Sequence, residues 1–229
     1  MKISKLQWAV HLGALLTLGW LAFAFFTGRL GVNPIRELTL RTGLAAFILL
    51  GLSLACTPLN AFLGWRGVIH VRRALGLYAF LFASLHLAVF LYDYGWIAGE
   101  GFDAGSVYQA LFEKRYALAG LAAFLLLVPL AVTSTRGWQR RLGPRWQTLH
   151  RLVYVAALLA SLHFIWQTKA DLRVTLMYVG AVVALLLLRL PLLVQAARHG
   201  GPEARTPPRV AESSEPDEAA SSRPDPVRR

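Results

Sequence analysis

The sequence predicts an all-α, polytopic membrane protein of about six transmembrane helices, and three observations predict it. Of 229 residues, 56% are hydrophobic and only 16% charged, where a soluble domain carries roughly a quarter. Apolar runs near the ~20 residues needed to cross a bilayer recur along the chain. Lys and Arg outside the C-terminal tail gather at the ends of those runs, as topology-determining charge does.

The spans fall at about residues 8–27, 40–57, 74–92, 116–133, 149–168 and 174–193. The first is longer than the apolar core of a signal peptide (about 7–15 residues), and no small-x-small site follows it, so it reads as an uncleaved span. Between the first and second, Asn33 and Pro34 mark a turn or a helix start, because Pro is tolerated in a first helical turn. A connection TPLNAFLGWRGVIHVRR precedes the third span. An acidic one from Asp93 to Arg115 follows it, and STRGWQRRLGPRWQ follows the fourth. A short TKADLR link joins the last two.

The net charge is +12, but its distribution excludes a nucleic-acid groove. From Arg198 onward six Arg offset six acids. Residues 1–195 therefore form the membrane domain. Residues 196–229, rich in Pro, Ser, Glu and Arg, are expected to be a disordered cytoplasmic tail. Such a tail is too short to fold as a flavin or nicotinamide domain, so a soluble electron donor has to be another molecule. Counting Lys and Arg at the two ends of the spans gives 12 on one side against 7 on the other. All six acids outside the tail fall on the poorer side, and the positive-inside rule then puts both termini in the cytoplasm. The single cysteine, Cys56, excludes an intrachain disulfide and reads as a small packed residue.

The chemistry is carried by histidines. Ionisable side chains inside a span are costly and mark function, and neutral imidazole on a helix is a common axial ligand of haem iron. His86 and His163 lie on different spans that run in the same direction. At 1.5 Å per residue both stand roughly 20 Å up, so a haem between the two helices would find an imidazole on each side. His150 is thirteen residues before His163, about 20 Å lower, which suits a second, inner haem. The thirteen steps also leave the two side chains about 140° apart on an ideal helix, so they share a cavity only if the helix bends. His11, within WAVHLGALL, is a candidate inner ligand or quinone contact. His70 sits just before the third span beside Arg66, Arg72 and Arg73 and reads as a solvated loop histidine, with inner ligation as the alternative. Arg72, Arg73, Arg140, Arg141, Arg145 and Arg151 form a basic rim. It serves topology and lipid headgroups or, because Arg binds such anions in bidentate fashion, haem propionates or a flavin phosphate. Trp138, Trp146, Trp166, Tyr154 and Tyr178 read mostly as interfacial aromatics.

Three stretches carry a family resemblance: GVNPIRELTLRTG (31–43), VRRALGLYAFLFASLHL (71–87) and TSTRGWQRRLGPRWQTLHRLVYVAALLASLHF (133–164). They resemble the MsrQ (YedZ) family, the haem-binding membrane subunit of the bacterial periplasmic methionine sulfoxide reductase system. That family belongs to the wider ferric reductase and NADPH oxidase-like transmembrane group, with a cytochrome b-like bundle. The resemblance extends over nearly the whole chain to about residue 195. It places His86, His150 and His163 on the family's haem-associated histidines, and His11 on another histidine seen there.

The resemblance implies haem b, one or two per chain, and an FMN. It implies electrons from the quinone pool or a cytoplasmic flavin reductase, and a location in the bacterial inner membrane. It further implies delivery to a periplasmic molybdopterin-containing methionine sulfoxide reductase, on which the sulfoxide chemistry occurs, docked on the outer loops, especially Asp93 to Arg115. The chain departs from the wider group at the inner end of the third span, where Arg72, fourteen residues before His86, stands in place of a histidine. Two other readings remain open on the residues: a stand-alone ferric reductase or other cytochrome b subunit, and a haem-free transporter or scaffold.

Overall fold

The computed structural model describes residues 4–97, 101–168 and 172–199. The described residues up to 192 form one compact unit. The tail from residue 200, expected to be disordered, lies outside the described residues. Among the described residues six helices are long and apolar enough to cross a membrane, so the protein is a multi-pass membrane protein.

Helix α1 (Lys5–Phe26) begins with a capping box, the Ser4 hydroxyl accepting from the Gln7 amide and the Gln7 side chain accepting from Ser4 N–H. Those two bonds satisfy amides that have no partner within the helix. Helix α2 (Pro34–Leu63) starts where Asn33 and Pro34 stand, with the Asn33 side chain accepting from Arg36 N–H. Its end is set by Gly64, whose φ of 66° lies in the left-handed region that glycine enters without steric cost. At 30 residues it extends well past the apolar run at both ends.

Helix α3 (Gly67–Gly95) begins after only three intervening residues. Most of the expected connection TPLNAFLGWRGVIHVRR is therefore helical, and His70, Arg72 and Arg73 stand on the first turns of α3. His70 is exposed but lies in a helix, not in a loop. Hydrogen bonding within the backbone explains the extension, since near a bilayer an unpaired peptide group costs more than a polar side chain held at the helix end.

The acidic connection carries structure of its own. Trp96–Ile97 and Gly101–Phe102 pair as a two-residue antiparallel ribbon, and α4 (Ala104–Glu113) follows, capped by Asp103. Helix α5 (Arg115–Val132) returns across the bundle. The basic stretch after it folds into two short helices, α6 (Arg136–Leu142) and α7 (Pro144–His150). Between them Gly143 adopts a φ of 51°. Helix α8 (Leu152–Gln167) continues from α7 across a turn at Arg151, and α9 (Leu172–His199) completes the set.

The closest helix pairs are α2 with α3 and α5 with α8. A core of Phe47, Leu50, Leu54, Ala79, Ala157, Val179 and Val182 joins α2, α3, α8 and α9. Cys56 is buried, packed with Val68, Val71 and Leu75, as expected for a small packed residue. Large apolar side chains such as Leu16, Phe26 and Met177 stay exposed along the outside, the surface that lipid covers in a membrane bundle.

Candidate cofactor site

His86 on α3 and His163 on α8 meet inside the bundle. Their ring centres are 5.8 Å apart and their planes are inclined at 82°. Each ring is fixed by the helix opposite: His86 Nδ1 lies 2.8 Å from the Thr39 carbonyl oxygen of α2, and His163 Nδ1 lies 2.6 Å from that of Tyr116 on α5. A carbonyl can only accept, so both Nδ1 atoms carry the proton and Nε2 is left with its lone pair. That tautomer is the one a metal-ligating histidine takes when a second partner orients it.

The backbone can receive the rings because the helices are notched. A Cβ placed on Gly43 would stand 2.9 Å from His86 Nδ1, and one on Gly120 would stand 2.6 Å from His163 Nδ1. Only glycine leaves room for an imidazole to lie against each helix at that height.

The two halves of this arrangement are copies of one another. In both, the histidine and its carbonyl are 47 residues apart. Gly120 follows Gly43, and His163 follows His86, by 77 residues. The sequence repeats with that offset: GLAAFILL at 43–50 against GLAAFLLL at 120–127, and LFASLH at 81–86 against LLASLH at 158–163. The hairpins α2–α3 and α5–α8 thus build a pseudo-symmetric chamber. Sequence reasoning missed Gly43, Gly120, Thr39 and Tyr116, although this repeat was the signal that would have found them.

The chamber is a cavity of about 780 Å³ whose walls come in repeat-related pairs, among them Phe47 with Phe124 and Ala83 with Ala160. Its volume falls within the ~300–1,000 Å³ of small-molecule sites. Among the described residues no group of three or more His, Cys, Asp or Glu is placed to hold a metal ion. Two imidazoles lining one cavity suit a metal whose remaining ligands come from its own macrocycle. Metal–imidazole bonds of about 2.0–2.1 Å, the length at zinc, would put two bracketing ring centres about 6.4 Å apart, somewhat more than the 5.8 Å between these rings.

A smaller cavity of about 310 Å³ lies toward the basic end, lined by Arg72, Arg73, Trp146 and His150 among others. Leu50 and its repeat mate Leu127 line both cavities. Phe80 on the smaller and Phe124 on the larger are stacked, with ring centres 5.5 Å apart and planes inclined at 12°. His150 differs from the other two. Its Nε2 is 3.1 Å from Thr133 Oγ1, and that hydroxyl already donates to the Pro129 carbonyl, so here Nε2 is the donor. Its ring packs 4.0 Å from that of Trp146, whose indole N–H donates to the Thr133 carbonyl. Trp146 is therefore part of the site rather than only an interfacial aromatic.

The other residues singled out in the sequence divide. The repeat mate of His150 is Arg73, thirteen residues before His86, not Arg72; both arginines line the smaller cavity. His11 pairs with the Tyr78 hydroxyl at 2.9 Å and lines neither cavity. His70 lines neither as well. Arg140, Arg141, Arg145 and Arg151 are exposed and stand off both cavities, with Arg141 lying over the Trp138 ring. Charge at the ends of short helices stays with water and headgroups unless a cavity opens beside it.

Residues 42–161 match the model of the ferric reductase like transmembrane component family. The protein-methionine-sulfoxide reductase heme-binding subunit MsrQ of Xanthomonas campestris pv. campestris is 41% identical over 210 residues, 87% of this chain and 94% of that protein. The proteins of the same name from Deinococcus radiodurans and Rhodospirillum rubrum are each 43% identical. The first match spans 79% of this chain and 87% of the relative, the second 84% and 90%. No solved structure matches the chain. With a six-span bundle, a paired-imidazole chamber and likeness of this extent, the chain belongs to the MsrQ family within the ferric reductase-like transmembrane proteins.

Proposed function

We propose that the protein is a haem b-containing electron-transfer subunit that carries electrons across the bacterial inner membrane to a methionine sulfoxide reductase. The observation that carries this reading is the His86–His163 pair, each Nδ1–H donating to a carbonyl and each Nε2 left as a ligand. The name its relatives bear, heme-binding subunit of a protein-methionine-sulfoxide reductase, agrees with it. When bound, haem supplies a one-electron carrier. The chain's part is to fix both imidazoles, exclude water with apolar walls and set the potential through the Nδ1 hydrogen bonds.

In this reading the basic end faces the cytoplasm, and both termini with it. His150 serves an inner haem beside the smaller cavity, with Trp146 packed against its ring. As an inner ligand its ring has to turn so that Nε2 leaves Thr133. A quinone or a cytoplasmic flavin reductase supplies electrons there. The FMN implied by the family resemblance would draw on Arg72 and Arg73, the two rim arginines that reach the cavity. The acceptor is the periplasmic molybdopterin-containing subunit, docked on the face formed by the ribbon and α4. The sulfoxide chemistry takes place on that partner.

Haem quantitation by pyridine haemochrome, with Soret spectra, tests the reading on the purified wild type and on His86→Ala, His163→Ala and His150→Ala. A Soret band in the wild type that falls in the first two variants supports it. Protein made with an ample haem supply yet without a Soret band would sink it.

A further inference from the structure

Arg189 on α9 is 2% exposed, and it reaches into the seam between α2 and α8. It donates to the Leu54 carbonyl, to Thr57 Oγ1 at 2.9 Å and to Tyr154 Oη at 3.2 Å. The first of these has a cause in the sequence. Pro58 has no N–H, so the Leu54 carbonyl four residues earlier lacks its helical partner. That explains a donor but not a charge, because any neutral donor would satisfy a carbonyl. All three acceptors are neutral, and Arg189 Nε, buried, has no hydrogen-bond partner among the described residues. A guanidinium cannot shed its proton to escape.

A second guanidinium converges on the same hydroxyl, for Arg72 Nη1 lies 3.5 Å from Thr57 Oγ1. Arg72 lines the smaller cavity with Arg73 and His150, and no carboxylate is among the described residues of that wall. Two cations thus share one hydroxyl at the edge of a cavity whose described lining holds no carboxylate to offset them. Buried charge left uncompensated is strongly unfavourable.

We propose that Arg72 and Arg189, coupled through Thr57, form an oxyanion site at the wall of the smaller cavity, which takes a carboxylate or phosphate group. Arg72 is the contact residue and presents its fork to the anion. Arg189 lies behind it as a fixed second charge and holds Thr57 in place. The inference deepens the proposed function by saying what a ligand in that cavity must carry, and it does not require His150 to bind iron. Three sources share the chemistry: the propionates of a porphyrin, the phosphate of a flavin mononucleotide and the phosphate of an anionic lipid.

Full-length protein depleted of haem, in phosphatidylcholine nanodiscs, is titrated with protohaem and with protohaem dimethyl ester, which lacks the free carboxylates, and with FMN and with riboflavin, which lacks the phosphate. In parallel, its thermal unfolding is compared in phosphatidylcholine and in phosphatidylglycerol nanodiscs. The wild type should favour the anionic member of at least one pair, by about tenfold in affinity for the porphyrins, the size of one charge-assisted hydrogen bond. Arg72→Gln and Arg189→Gln should each erase that preference, and Arg66→Gln, on a residue lining neither cavity, should keep it. Loss in the porphyrin pair assigns the anion to propionate, loss in the flavin pair to the FMN phosphate, and loss in the lipid pair to a headgroup. Should Arg189→Gln not fold, Arg189→Lys must retain the preference, since it keeps the charge. No preference in the wild type, wild-type preference in either Gln variant, or its loss in Arg189→Lys overturns the site. Haem uptake itself reports separately on the proposed function, so the two can fail independently.

Discussion

His86 Nδ1 and the carbonyl oxygen of Thr39 lie 2.8 Å apart across α3 and α2, and the same relationship recurs 77 residues later between His163 and Tyr116. The larger cavity is organised by this pair of contacts. Each turns a mobile ring into one held at a single height with Nε2 free.

On the proposed function, loss of either imidazole should remove the haem held between them. His86→Ala and His163→Ala should each lower haem content by at least half and remove the low-spin signature of paired imidazoles, read by electron paramagnetic resonance. A His163→Ala protein that kept its full haem complement and that signature would refute the ligand assignment.

The glycine notches make a sharper test, because they touch no ligand atom. Gly120→Ala places a methyl where His163 Nδ1 lies, at 2.6 Å, and Gly43→Ala meets His86 at 2.9 Å. Each ring must give way, weakening its hydrogen bond to the carbonyl, and overpacking of this kind costs about 1–3 kcal/mol. Both variants should shift the haem midpoint potential, Gly120→Ala more than Gly43→Ala. A redox titration giving wild-type values for both would show that the Nδ1 contacts do not tune the site.

His11 and Tyr78 are joined by a 2.9 Å hydrogen bond away from both cavities. Tyr78→Phe should cost about 0.5–1.5 kcal/mol of stability and leave haem content and quinol oxidation at wild-type values. A changed quinol oxidation rate in this variant would return His11 to the electron path.

Outside the spans, Asp103 caps α4. Hydrogen bonds from the Ser106 hydroxyl, then from the Gly105 and Ser106 amides, hold its carboxyl below the ordinary range. A carboxyl depressed on folding adds stability that is present above its unfolded value and fades as pH falls through the folded one. Amide exchange at Gly105 and Ser106, corrected for its intrinsic pH dependence, should rise only below the normal carboxylate range. Asp103→Asn should make it independent of pH there.

Much of the architecture was legible without coordinates. Six apolar runs and a one-sided excess of Lys and Arg are enough for a membrane bundle, because a bilayer rejects charge and requires every peptide group to be bonded within its own helix. The matched depth of His86 and His163 was legible too, since helical rise converts a residue count into a height. The repeat that betrays Gly43 and Gly120 also lay in plain sequence, but its meaning is steric. Nothing in a string of letters says that an imidazole 43 residues away will lie against a particular glycine.

Other features belonged to tertiary structure alone. Most of the basic connection before α3 became helix, because a peptide group left unpaired at a membrane costs more than an arginine at a helix end. His150 turned its Nε2 to Thr133, a choice of tautomer made by a hydroxyl 17 residues earlier. Four of the six rim arginines stayed in solvent while Arg72 and Arg73 reached a cavity. Arg189 reached into the bundle and donates to the carbonyl that Pro58 leaves without its helical partner on another helix. Composition and periodicity decide what must be buried and how far along the membrane normal each residue sits. Which polar atoms meet there is decided only when helices distant in sequence pack, since each satisfies groups its own segment cannot.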